Sequence, residues 1–200
     1  MIILISEKHD FLFIHIPKTG GNSIQDALKP YAEDKIVCLN GLQDGVERFE
    51  LRNDKYKTVK HSTLINYKDE LEPEVFDSLT KFTTIRNPWD RCISYYFSPH
   101  RGKVFWDREL FLKFIETIKP NSFYIGEYKN IDHILRFENL ENDFNNIIKI
   151  LNLPKIQLAH RNATKSKTKS YVEYYDDELI KKIENLFKDD IQFGEYTFSQ

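Results

Sequence analysis

The chain has 200 residues, enough for one compact domain, 1–200, with a substantial core. Hydrophobic residues make up 40% and charged residues 30%, and 15 Phe with 11 Tyr exclude a disordered chain. A formal net charge of -2 excludes global attraction to nucleic acid or to an anionic membrane, so any anion site is local, made by a few basic groups and backbone N–H donors.

The apolar start is cut short by Glu7, Lys8, His9 and Asp10, and has neither the length nor the basic flank of a secretory leader. No stretch approaches the ~20 apolar residues that span a bilayer, so the expected compartment is the cytoplasm. The two cysteines, Cys38 and Cys92, lie far apart and outside any metal-ligand spacing, which suits reducing surroundings.

Phe11 to Ile16, apolar except at His15, predicts a strand buried on both faces that ends at Pro17. Ile24, Ala27 and Leu28 then recur at helical spacing until Pro30. Lys35 to Lys55 has weaker patterning and reads as irregular, and Tyr56 to Lys60 reads as a short strand ending at His61. Lys81 to Ile85 favours extended structure and runs into Arg86-Asn87-Pro88, where Asn87 suits an N-cap and Pro88 a first helical position. The helix so started continues through Cys92, Ile93, Tyr96 and Phe97. Leu110, Phe111, Phe114 and Ile115 mark another helix.

His133 to Phe137 predicts a late strand, followed by a helix with Leu140, Phe144, Ile147, Ile148 and Leu151 on one face, closed by Pro154. A polar loop from Arg161 to Ser170 carries Arg161, Lys165, Lys167 and Lys169 and no acid. A last helix from about Asp177 is expected to bury Leu179, Ile180, Ile183, Leu186 and Phe187. Strands alternating with helices imply an α/β sandwich with a largely parallel central sheet flanked by helices.

Two constellations carry chemistry. The first is Pro17-Lys18-Thr19-Gly20-Gly21-Asn22-Ser23, a turn between a buried strand and a helix start. Its N–H groups and the helix dipole favour an anion, the glycines let a ligand approach the backbone, and Lys18, Thr19 and Ser23 can add contacts. The Walker pattern of kinases places its lysine after the second glycine, whereas Lys18 precedes both. A lone Lys-Thr-Gly-Gly also suits a tight turn with a solvated lysine. The second is Arg86 at a strand's carboxyl end with Ser94 eight residues on, a guanidinium and a hydroxyl able to grip a second phosphate. Taken singly, Arg86 also suits a salt bridge and Ser94 a helix surface, and Arg91 is either a further contact or a surface charge. A nucleotide phosphorylated on both its 5′ and 3′ positions would use both grips, and 3′-phosphoadenosine 5′-phosphosulfate (PAPS) is one.

The stretches Phe13 to Ile24 and Phe82 to Phe97 together resemble the 5′-phosphosulfate loop and the 3′-phosphate motif of the carbohydrate-type sulfotransferases, which include the heparan sulfate 2-O-sulfotransferases and their bacterial relatives. Leu135 to Leu140 and Asp190 to Phe198 are also similar to that family. Asn22 departs from it, since relatives commonly carry Thr there. The resemblance implies a P-loop-like three-layer fold and transfer of a sulfuryl group from PAPS to an acceptor hydroxyl, with a saccharide as acceptor. It also implies that Lys18 contacts the 5′ side of the donor, that Arg86 and Ser94 hold its 3′-phosphate, and that the Arg161 to Ser170 loop lies near the nucleotide.

The chemistry requires no metal, and the sequence offers no ligand cluster for one. His61 is the expected general base, because histidine suits proton abstraction near neutrality and it ends a predicted strand beside Lys60; a lone histidine also suits a surface or hydrogen-bonded structural role, and a carboxylate is the other candidate base. His15 reads as structural, and His100 with Arg101, Lys103, Phe105 and Trp106 forms either an acceptor surface or a solvated loop. The competing readings are a P-loop kinase of a nucleoside or small molecule, which expects a Walker lysine and a metal-holding Asp, and a nucleotide-binding module without turnover.

Overall fold

The computed structural model of the chain describes residues 4–33, 35–43, 46–52, 55–58, 61–98, 105–158 and 169–199. The chain enters through β1 (Ile5–Ser6) and returns as β2 (Phe11–Ile14), antiparallel to it. After a loop comes α1 (Gly21–Leu28), which tightens into a 3₁₀ turn over Lys29–Tyr31 at Pro30. Next is an antiparallel pair, β3 (Lys35–Gln43) and β4 (Val46–Arg52), with a register shift between Cys38 and Leu42. This corrects the reading of Lys35 to Lys55 as irregular. Its signal in the sequence is the Asp44-Gly45 pair, a hairpin-turn dipeptide between an apolar run and the alternating Phe49-Glu50-Leu51-Arg52.

The expected strand over Tyr56 to Lys60 is a second correction: residues 56–58 form none, and 59–60 lie outside the described residues. The Lys57 amide donates to the Glu70 carboxylate at 2.9 Å, and the Tyr56 hydroxyl donates to Glu7. The Glu70 carboxylate thus takes the Lys57 amide that a strand partner would have taken. Two helices follow: α2 (Leu64–Glu70), opened by a reciprocal capping box between Thr63 and Asn66, and α3 (Pro73–Ser78), with proline at its first position.

The middle strand, β5 (Thr80–Ile85), pairs parallel to β2, with Phe13 opposite Phe82. It feeds α4 (Pro88–Tyr96), where the Asn87 side chain accepts the Trp89 N–H as the expected cap. Then come α5 (Arg108–Ile115), capped by Asp107, and the short α6 (Asn121–Ile125). The strand β6 (His133–Arg136) pairs parallel to β5. Phe137 leaves it for a 3₁₀ turn, Phe137–Asn139, which leads into α7 (Leu140–Ile150). The chain ends in α8 (Asp177–Leu186) and α9 (Lys188–Gly194). In α8 the core takes Leu179, Ile183 and the following Phe187, while Leu186 is 39% exposed, contrary to expectation. The helix breaks at Phe187, whose φ is −122° and whose side chain is buried.

The sheet order is β1-β2-β5-β6, and the last three strands run parallel. Strand alternation divides the core. Phe11 and Phe13 pack with Ile24, Phe144 and Ile147 from α1 and α7, whereas Leu12 and Ile14 pack with Leu64, Tyr67 and Phe76 from α2 and α3. Ile85 instead joins the aromatic cluster of α4, α5 and α8. Thr83 and Thr84 of β5 are buried yet satisfied, Thr83 donating to the Ile14 carbonyl at 2.7 Å and Thr84 bonding Thr19. Because the three parallel strands share a direction, their carboxyl ends deliver His15–Gly20, Arg86–Asn87 and Phe137–Asn139 to one edge, where open α/β sheets place their ligands. Among the described residues no helix is long and apolar enough to cross a membrane.

Candidate active site

The loop from β2 to α1 is held in an unusual shape from behind. Lys18 has φ 67°, a left-handed conformation that costs a residue with a side chain ~1–2 kcal/mol, and Gly20 has φ 91°. Thr19 is fully buried; its hydroxyl donates to the Ile16 carbonyl at 2.8 Å, so at 2.6 Å it accepts the proton of Thr84 on β5. Arg91 Nε donates to the Pro17 carbonyl at 3.1 Å, and Arg86 Nη1 to the Lys18 carbonyl at 3.1 Å. In a trans peptide the N–H points opposite to the C=O, so these two bonds fix where the amides of Lys18 and Thr19 aim.

Both glycines are demanded by their surroundings. A Cβ on Gly20 would lie 2.8 Å from Leu140 and 2.9 Å from Phe137, and one on Gly21 would lie 2.3 Å from the His15 ring. Asn22 and Ser23 follow in the first turn of α1, half-buried and buried respectively. Lys18 is half-buried, and its ammonium is pushed down to about 8 by burial and, secondarily, by the Arg86 guanidinium.

Arg86 is only 11% exposed, and its guanidinium carbon sits over the Phe137 ring, 3.9 Å from the centroid. Its Nε donates to Asp90 Oδ2 at 2.8 Å, and Nη2 donates to the same oxygen at 2.5 Å. With Nη1 on Lys18, three of the five guanidinium hydrogens are engaged among the described residues, leaving one on each terminal nitrogen. Ser94, 5% exposed, follows Asp90 by one helical turn of α4, on the face that Asp90 turns to Arg86. Sequence reasoning missed Asp90 and Phe137 here; the i,i+4 spacing of Arg86 and Asp90 was the available signal.

His61 is exposed, and its Nδ1 lies 2.9 Å from the His15 carbonyl. A carbonyl only accepts, so in this contact Nδ1 carries the hydrogen. The His15 ring lies 4.7 Å from the His61 ring, stacks on Phe13 and covers Gly21. The structure thus anchors His61 to the backbone that leads into the lysine loop.

Arg91 is neither a contact at the rim nor a surface charge: it is 1% exposed. Besides Pro17 it donates to the Asn121 side chain at 3.3 Å and the Lys119 carbonyl at 3.0 Å, and it pairs with Asp190 at 3.8 Å. Glu138 accepts the Asn87 amide at 2.7 Å and the Tyr196 hydroxyl at 3.3 Å. The tail is drawn in by its carbonyls: Arg136 donates to Gly194, Asn87 Nδ2 to Thr197 at 2.9 Å, and the Tyr171 hydroxyl to Phe198.

A cavity of about 440 Å³ opens elsewhere, beside Trp89, Lys188, Ile191, Tyr196 and Phe198; Lys18, His61, Arg86 and Ser94 do not line it. Cys92 is fully buried, and burial pushes its thiol up to about 12, which leaves it chemically inert. No group of three or more His, Cys, Asp or Glu placed to hold a metal occurs among the described residues. Residues 161–168 of the basic loop, and His100, Arg101 and Lys103 of the aromatic-basic cluster, lie outside them.

The model of the sulfotransferase family matches residues 2–122, a span that holds the lysine loop, His61, Arg86 and Ser94. The chain belongs to the sulfotransferase family. No curated protein and no solved structure matches it. As a sulfotransferase it is a transferase of sulfuryl groups, built on a mixed α/β frame whose four-stranded sheet is flanked by helices. The matched span stops in α6, so Phe137, Glu138 and Asp190, which contact Arg86, Asn87 and Arg91, come from the remainder of the chain.

Proposed function

We propose that this sulfotransferase takes PAPS as its donor and a hydroxyl, on a saccharide, as its acceptor. The observation that carries the reading is the meeting, at one edge of the parallel strands, of two cationic groups: Lys18 in its loop, and Arg86, two of whose N–H groups are not engaged among the described residues. The first suits the 5′-phosphosulfate and the second, with the Ser94 hydroxyl, a 3′-phosphate. The parallel strands with helices on both faces of β2 support a P-loop-like three-layer sandwich, with residues 1–200 as one domain. Asp90 is engaged by Arg86, which leaves the kinase reading without its metal-holding aspartate there.

In the proposed mechanism His61 Nε2 removes the acceptor's proton as the oxygen attacks sulfur. The new O–S bond forms in line as the bond from sulfur to the bridging oxygen breaks. Negative charge grows on that oxygen, and the Lys18 ammonium with the loop amides meets it, aiding the transition state more than the ground state. Arg86 and Ser94 hold the far end of the nucleotide still.

Calorimetric titration with adenosine 3′,5′-bisphosphate, AMP and ATP–Mg²⁺ tests the donor: the bisphosphate is expected to bind tightest, and tighter ATP binding would overturn the reading. Ser94→Ala is expected to weaken the bisphosphate by about 1.5–3 kcal/mol, the worth of a hydrogen bond to a charged group, while AMP is unaffected. Equal losses for both ligands would remove Ser94 from the 3′ site. Labelled sulfuryl transfer to a saccharide panel, set against simple alcohols, tests the acceptor.

A further inference from the structure

We propose that Arg91 is a positioning residue for transfer, a buried clamp that holds the lysine loop in register through the Pro17 carbonyl. The inference rests on the reading of that loop as the donor's 5′ site. Three elements meet on this one side chain. Its Nε reaches back 74 positions to Pro17, its Nη1 and Nη2 bind Asn121 and the Lys119 carbonyl, and Asp190 of α9 balances its charge. Asp190 is itself fixed, accepting the Asn121 amide at 3.0 Å and the Tyr128 hydroxyl at 3.0 Å. The clamp therefore ends on a rigid base rather than on solvent-exposed side chains.

The grip falls on the peptide that joins Pro17 to Lys18, and Lys18 is the residue forced into left-handed backbone. A residue with a side chain holds that conformation only where its surroundings over-determine it. Thr19 and Arg86 restrain the far side of Lys18, through the Ile16 and Lys18 carbonyls, and Arg91 restrains the near side. Releasing the near side frees the φ of Lys18, which swings the ammonium away from the bridging oxygen. Lysine cannot replace this arginine, because one ammonium does not reach Pro17, Lys119 and Asn121 in a planar fork.

The test compares Arg91→Lys, the double variant Arg91→Met with Asp190→Asn, and Asp190→Asn alone. The double variant removes both buried charges together, so it leaves no unpaired ion, and the amide that replaces the Asp190 carboxylate keeps an acceptor for Asn121 and Tyr128. It covers the case in which Arg91→Lys does not fold. Asp190→Asn alone keeps the Pro17 contact. The two Arg91 variants are expected to lose about 10²-fold in kcat per folded molecule, the scale set by an ångström of misplacement, with AMP and the bisphosphate weakened by equal factors. Asp190→Asn weakens the base of the clamp but keeps the Pro17 bond, so it is expected to lower the melting temperature and to cost much less kcat than either Arg91 variant. In a Lys18→Met background the Arg91 changes should cost no further kcat, because the group they position is gone.

Full kcat in the double variant, equal kcat losses with Asp190→Asn alone, or additivity with Lys18→Met would each overturn the assignment. Wild-type protein that ignores adenosine 3′,5′-bisphosphate would instead overturn the donor reading on which the inference rests.

Discussion

His61→Ala is expected to lower kcat by ~10²–10⁴, the usual worth of a positioned general base, and to leave bisphosphate affinity unchanged. The separation follows from geometry. His61 is anchored on the His15 carbonyl, ahead of the lysine loop, whereas the charges that would hold the bisphosphate belong to Lys18 and Arg86. The bond to His15 fixes the tautomer, so His61→Gln, which keeps a hydrogen-bonding side chain without a comparable base, should be as slow as alanine. The measurement is single-turnover transfer with labelled donor alongside calorimetric affinity. Retained turnover in either variant would move the base to a carboxylate.

Lys18→Met is expected to lower kcat by ~10²–10³, as the loss of one preplaced donor to a developing oxyanion does. The same side chain makes a second, independent forecast. Burial and the Arg86 charge hold the Lys18 ammonium at about 8 in the free protein. A bound anion favours the charged form and raises that value, so binding above pH 8 takes up a proton. Affinity for the bisphosphate should be level between about pH 7, above the titration of its own phosphates, and pH 8, and fall by about tenfold per pH unit above that. In Lys18→Met the pH dependence should vanish, and a slope that survived there would have to come from another group.

The parallel frame was legible because its strands and helices announce themselves locally. Phe11 to Ile14 is a continuous apolar run, α4 opens on Asn87-Pro88, and α7 repeats its apolar face every turn. The β3–β4 hairpin was missed because its strands mix charges into an alternation that holds for only a few residues. Within the site, Lys18 and Arg86 could be picked out by type and position. What each is bonded to could not. The Thr19 hydroxyl is fixed by Thr84, 65 positions away, and Arg91 is buried by Pro17, Lys119, Asn121 and Asp190, brought together only by the tertiary fold. A single sequence carries side-chain identity at each position, but burial is a property of the assembled neighbours.

The carbonyls of the tail, held by Arg136, Asn87 and Tyr171, bear on the order in which the molecule is made. The bond from Asn87 to Thr197 closes a loop of 110 positions, and the bond from Asn87 to Glu138 one of 51. Contacts that distant are slow to find, because chain entropy is lost before they form. A nascent chain that has emerged only as far as α6 carries the lysine loop and Arg86 but lacks β6, Phe137 and the tail. If the donor is a nucleotide as proposed, it would be recruited late, by a nearly finished chain, and adenosine 3′,5′-bisphosphate should protect full-length protein from proteolysis while leaving shorter nascent chains open to it.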